Sequence, residues 1–168
     1  ECGPRISGYG PFNCTWSAGL IWFARRTRLL SGTAVRPGDT IVGLAETGCR
    51  SNGYSLLRHI LQQQHGDTWH TVPYGQTTLG ALALQPSCLY TAAVVDMLGG
   101  LEAEPQVEIH GVVHVTGGGL PGKLGRLLRR VNLGADITDP LPPGSLLTYL
   151  QAHGPVPDHE AYRVWNMG

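Results

Sequence analysis

The sequence predicts an α/β domain, and three observations carry that prediction. Thr40-Ile41-Val42-Gly43-Leu44-Ala45 is a short, β-branched apolar run behind the turn Pro37-Gly38-Asp39, the pattern of a largely buried strand. Val107 to Val115 alternates and is rich in β-branched residues, the pattern of a second strand. Each run passes through a glycine-bearing loop into a helical pattern, so the strand–loop–helix unit occurs twice.

Size and composition fit this class. The 168 residues suffice for one domain with a core, and 42% hydrophobic with 14% charged residues describes a globular chain. The 24 glycines and 12 prolines are not periodic, which excludes a collagen-like repeat and marks many tight loops. A net charge of zero argues against nucleic acid or a membrane surface as the main partner. Cys2, Cys14, Cys49 and Cys88 form no C-x-x-C pair, so reduced thiols in a cytoplasmic protein are expected, not a disulfide framework. No signal peptide or membrane-length apolar run is present. The first residue is Glu1, and the chain is expected to be a piece of something longer.

Taken in order, residues 1–13 are Gly/Pro-rich and read as a loop. Thr15 to Ala24 reads as a first strand, followed by the Arg25-Arg26-Thr27-Arg28 cluster. Residues 1–28 thus form a loop and strand ahead of a single domain over 29–168. Glu46 to Gly53 is too polar and glycine-rich to continue the 40–45 strand. From Tyr54 a helix follows, with Leu57, Ile60 and Leu61 on one face, ending near Gln64. Residues 65–78 are turn-rich, 79–84 form a short helical piece, and an apolar helix over 87–98 stops at Gly99-Gly100. After the 107–115 strand comes the loop Thr116 to Gly122, then a basic amphipathic helix over 123–131. Ser145 is the expected cap of a helix through Gln151, and the tail from Glu160 is apolar enough to be buried.

The 116–122 loop contains Gly117-x-Gly119-x-x-Gly122, formally the dinucleotide fingerprint. Glycines let backbone amides approach a phosphate, and a helix amino terminus favours negative charge. The acid expected about 20 residues on is lacking after a strand, since Asp136 and Asp139 stand in a Pro-rich context. Anion binding is therefore preferred to a nicotinamide cofactor. Gly122-Lys123 is followed by Leu124, which excludes a nucleotide P-loop, and no G-x-S-x-G elbow is present. His110 and His114 would lie about 13 Å apart on one strand face, too far to share a zinc ion. His114 either holds the glycine loop or is a satisfied structural histidine, and Cys49 reads as a passive thiol despite Arg50 beside it.

Several separated segments together resemble one family. Leu30-Ser31-Gly32, Val35-Arg36-Pro37-Gly38-Asp39, Gly43-Leu44, Gly48, Ser51-Asn52-Gly53-Tyr54-Ser55-Leu56 and Arg58 resemble a stretch of aminoimidazole ribonucleotide synthetase, the phosphoribosylformylglycinamidine cyclo-ligase. So do Gly75-Gln76-Thr77 with Leu79-Gly80, Pro86 with Tyr90, and His114-Val115-Thr116-Gly117-Gly118-Gly119 with Arg126. The tail Glu160, Tyr162-Arg163, Asn166-Met167-Gly168 follows in the same order. The resemblance covers nearly everything from about Leu29 onward.

It implies the carboxy-terminal domain of such an enzyme: a mixed β-sheet flanked by helices, without the closing strands expected after Asn166-Met167-Gly168. Enzymes of the family use ATP to activate a formyl amide oxygen as an iminophosphate. A nitrogen of the same molecule then closes the imidazole ring, giving aminoimidazole ribonucleotide, ADP and phosphate. They are cytoplasmic homodimers of purine biosynthesis whose amino-terminal half holds most of the Mg-ATP site, so no catalytic or metal residue is carried over. The resemblance, with the two glycine loops, assigns Ser51, Asn52, Gly53, Thr116, Gly117, Gly118 and Gly119 to phosphate or phosphoribosyl oxygens of a small ribonucleotide, with Asn166 lining the same cleft. His114, Arg50 and Lys123 are supporting candidates. The family usually has His where Arg50 stands and Glu-Asn where Gly122-Lys123 stand, which leaves a substrate-shifted or non-catalytic paralogue as the alternative. Other ATP-using relatives, such as selenophosphate synthetase, fit the Thr-Gly-Gly-Gly and Asn-Met-Gly combination less well.

Overall fold

The computed structural model describes residues 18–50 and 52–167. Readings that fall on 1–17, Ser51 or Gly168 lie outside the described residues. Six α-helices, two short 3-10 helices and one two-stranded antiparallel sheet make up the regular structure of the described residues.

α1 (Tyr54–His65) begins after Gly53 and ends at Gly66, whose φ values of 68° and 71° are left-handed, as glycine allows at helix boundaries. It buries Leu57, Ile60 and Leu61, the face expected from their spacing. The turn-rich region forms a 3-10 turn, Gly66–Thr71, and a tight hairpin in which β1 (Pro73–Tyr74) pairs with β2 (Thr77–Thr78). The Thr78 side chain then caps α2 (Leu79–Ala83), accepting from the Ala81 amide at 3.1 Å. α3 (Thr91–Met97) is shorter than the expected 87–98 helix. Its amino-terminal extension is diverted because the Cys88 amide donates to the Glu46 carboxylate at 3.0 Å.

α4 (Gly119–Arg129) starts inside the predicted glycine loop, not at Lys123, so the loop proper is only Thr116 to Gly118. Pro121 sits in the first turn, where its missing N–H costs nothing. α5 (Ser145–His153) is capped from Gly144 without a side-chain bond, so Ser145 is its first residue and not its cap. α6 (Asp158–Val164) turns the apolar tail back into the protein.

The core is one cluster built from α1, α2, α5 and α6. Leu57, Ile60 and Leu61 meet Leu146, Leu147 and Leu150, with Leu79, Val156, Ala161, Trp165 and Met167 closing around them. Each fully buried leucine contributes roughly 1.5–3 kcal/mol relative to exposure. Close approach of α1 and α5 is marked at Gly154, where a Cβ would lie 2.5 Å from Ile60 Cδ1.

The larger sheet expected from the sequence is not formed among the described residues. Neither 40–45 nor 107–115 carries a ladder, and residues 18–24 of the expected first strand have no regular structure. Val42 is 77% exposed, where a largely buried strand was expected. The physical reason is that a strand, unlike a helix, satisfies its N–H and C=O groups only against a second strand. The α/β class holds only in the coarser form of helices with a small sheet.

Candidate functional site

The loop before α1 is held from within. Glu46, with a side chain only 8% exposed, accepts from the Thr47 amide at 2.9 Å and the Cys88 amide at 3.0 Å and pairs with Arg50 Nε at 3.5 Å. Arg50 adopts a left-handed φ of 49° and is turned toward that carboxylate. The Tyr90 hydroxyl donates to the Ala45 carbonyl on the same loop. The Asn52 amide closes a turn on the Cys49 carbonyl at 2.9 Å. Cys49 is buried, and desolvation pushes its thiol up to about 12, so it is the passive thiol expected.

The second loop is closed in a similar way. Gly118 and Gly119 have φ values of 98° and 64°. The Gly118 amide donates to the Arg163 carbonyl at 3.1 Å, and the Gly119 amide to the Thr116 carbonyl at 2.9 Å. These two amides are therefore spent inside the chain, and the amide cradle expected at Gly118-Gly119 gives way to side chains as the groups that face a ligand.

Both glycine turns rest on the last turn of α6. A Cβ on Gly119 would lie 2.4 Å from the Tyr162 carbonyl oxygen, and one on Gly53 would lie 2.4 Å from Trp165 Cδ1 and 2.6 Å from Val164 Cγ1. Trp165 Nε1 donates to the Gly53 carbonyl at 3.2 Å. Next to Trp165, Asn166 and Met167 each hold a left-handed φ of 64°, unusual for residues with a side chain. The Asn166 Oδ1 atom is buried without a hydrogen-bond partner among the described residues, while the Met167 carbonyl accepts from the Gly144 amide at 3.3 Å.

A cleft of about 390 Å³ opens beside the second glycine loop, between α4 and the segments at Leu30-Ser31 and 112–116. It brings together His114, Thr116 and Lys123, three of the residues singled out from sequence. Asn52, Gly53 and Asn166 are not in its lining, and Ser51 lies outside the described residues. Arg126 and Arg130 complete a row of three cations at helical spacing i, i+3, i+7 along one face of α4. Arg130 Nη1 is anchored on the Ser31 carbonyl at 3.3 Å. Among the described residues, no carboxylate lines the cleft. The sequence signal for Arg126 and Arg130 was the basic amphipathic helix after Lys123, with Arg126 also among the residues of the family resemblance.

What this arrangement can do chemically is hold an anion. Three cations in a concave site with no opposing carboxylate leave positive charge uncompensated, and a phosphate ester is the matching ligand class. No group of three or more His, Cys, Asp or Glu side chains is placed to hold a metal ion among the described residues.

Residues 36–168 match the family described as AIR synthase related protein, C-terminal domain. The chain is similar to the phosphoribosylformylglycinamidine cyclo-ligase of Methanosarcina mazei, with 38% identity over 150 residues, 88% of this chain and 41% of the relative. It is 34% identical over 160 residues to the same-named protein of an Anaeromyxobacter species, covering 95% of this chain and 45% of the relative. For the one from Paraburkholderia phymatum the identity is 35% over 146 residues, 85% of this chain and 38% of the relative. The chain thus spans about two fifths of the length of these curated relatives. No helix among the described residues is long and apolar enough to cross a membrane.

Proposed function

From the premise that this chain belongs to the AIR synthase related family through its C-terminal domain, we propose that it is the carboxy-terminal part of a phosphoribosylformylglycinamidine cyclo-ligase of purine biosynthesis. The observation that carries this reading to the site is the cleft beside Thr116, lined by Lys123, Arg126 and Arg130 without a carboxylate. Its charge and size suit the phosphate of a small ribonucleotide. ATP supplies the phosphoryl group that activates the formyl amide oxygen, and with magnesium it is held mainly by residues beyond this chain. The chain's own contribution is placement: the three cations fix the phosphate end, and Thr116 Oγ1 adds a hydrogen bond. Asn52 and Asn166, at the two ends of the Trp165 contact, would steady the rest of the substrate. The homodimer and the cytoplasmic setting go with the same reading.

Titrating the full-length protein with its ribonucleotide substrate tests this. Thr116→Ala and Asn52→Ala are expected to weaken binding, and unchanged affinity in both would remove the site. A substrate-shifted or non-catalytic paralogue is the second reading, favoured by Lys123 in the cleft where the family usually has Asn. A coupled assay for ADP release separates the two, because turnover with phosphoribosylformylglycinamidine rules out the non-catalytic form.

A further inference from the structure

The side chain of His110 lies between two carboxylates. Its Nδ1 is 2.7 Å from Asp39 Oδ2, and its Nε2 is 2.9 Å from Glu108 Oε1. Arg36 joins the same two acids, with Nε 3.8 Å from Asp39 Oδ1 and Nη2 3.5 Å from Glu108 Oε1. The Arg36 amide also donates to Asp39 Oδ2 at 3.0 Å, which fixes the Arg36–Asp39 turn. An ionised carboxylate only accepts, so both ring nitrogens must donate, and only the imidazolium has two N–H groups. With Arg36, Asp39 and Glu108, the protonated ring completes a charge-balanced set of two cations and two anions.

The cluster sits at the root of both glycine-bearing units. Asp39 directly precedes the 40–45 segment that leads to Asn52-Gly53, and His110 lies six residues before Thr116. These two segments have no β-ladder between them, so side-chain contacts such as this one carry their association.

We propose that His110 is a pH-dependent clasp, holding the 107–115 segment to the Arg36–Asp39 turn while protonated and releasing one carboxylate when it loses its proton. A neutral imidazole has one N–H and would set its bare nitrogen lone pair against an ionised carboxylate. Glu108 is the acid released, because its side chain is 73% exposed against 25% for Asp39 and can turn into water. Arg36 keeps its hold on Asp39 in either state. The direction agrees with the surroundings: hydrogen bonds from Glu108 and Asp39 raise the imidazole above its ordinary value, and both acids are lowered. A raised folded-state value means the clasp's stabilisation is full below the ordinary histidine value near 6.5 and is lost as pH rises through the elevated one. The inference does not depend on the ribonucleotide reading.

Nuclear magnetic resonance of the full-length protein carrying isotope-labelled histidine tests it, with the His110 signal assigned by its loss in His110→Gln. The midpoint is expected above about 6.5, moving back toward that value in both Glu108→Gln and Asp39→Asn. Hydrogen exchange of peptides covering 107–115, corrected for intrinsic rate, is expected to rise through the same midpoint in the wild type and to lack that step in His110→Gln. Glu108→Gln changes only an exposed side chain and so reports even if Asp39→Asn fails to fold. A midpoint at or below about 6.5, or the same exchange step in His110→Gln, would overturn the clasp.

Discussion

The indole Nε1 of Trp165 donates to the carbonyl of Gly53 across 112 positions of sequence, at 3.2 Å. That bond joins the start of α1 to the end of α6, and it is made where the backbone can tolerate no side chain. The same carbonyl also accepts from the Leu57 amide at 3.0 Å, so one oxygen serves both the first turn of the helix and the tertiary contact.

Gly53→Ala is expected to cost roughly 2–5 kcal/mol, from a left-handed backbone and an overlap with packed atoms. Its Cβ would lie 2.4 Å from Trp165 Cδ1, a buried ring with no room to retreat. Gly119→Ala falls in the same class, since its Cβ would meet the Tyr162 carbonyl oxygen at 2.4 Å. Gly117→Ala has nothing within 4 Å and should change stability by less than about 0.5 kcal/mol. Urea unfolding of the three variants checks the order, and a destabilised Gly117→Ala with an intact Gly53→Ala would contradict it.

Which of these relationships the sequence could reveal depends on how far apart the partners lie. α1 was legible because its apolar spacing is local: Leu57, Ile60 and Leu61 are buried as that spacing requires, whereas α6 was read only as an apolar tail. The left-handed backbone at Gly53 and Gly118 was not read from the sequence, which marked both only as glycines of the two loops. The 40–45 and 107–115 runs have strand composition, but composition cannot supply the partner that a ladder needs. His110 beside Asp39 was not legible, because 71 residues separate them and nothing local announces the pair. In the site, His114, Thr116 and Lys123 do meet in one cleft, while Asn52 and Asn166 belong to the neighbouring Trp165 contact.

Cys49 gives a prediction at alkaline pH. Burial favours the neutral thiol, lifting it from 9.0 to about 12. A group raised on folding binds more protons in the native state between those values, so stability is full below pH 9.0 and falls as pH climbs toward about 12. The slope contributed is at most about 1.4 kcal/mol per pH unit. Denaturation midpoints should show no loss from this thiol between neutral pH and 9.0 and a decline above it, and Cys49→Ala should remove that part of the decline. The native thiol should also resist thiol reagents that label the half-buried Cys88.

Charge on α4 can be separated from charge on the molecule as a whole. Lys123 and Arg126 line the cleft, whereas Arg129, on the same helix, does not. Removing a cation that meets a phosphate at a partly exposed site should cost about 1.4 kcal/mol, or roughly tenfold in affinity. Lys123→Ala and Arg126→Ala in the full-length protein are therefore expected to raise KM for the ribonucleotide about tenfold each. Arg129→Ala makes the identical change in net charge and should leave KM within about twofold, since a charge outside the cleft is screened by solvent. The defects at Lys123 and Arg126 should shrink as salt is added, because the attraction they remove is already weakened there. If Arg129→Ala matches the other two, the row of cations acts only through the general field of the protein, and the cleft is not where the phosphate sits.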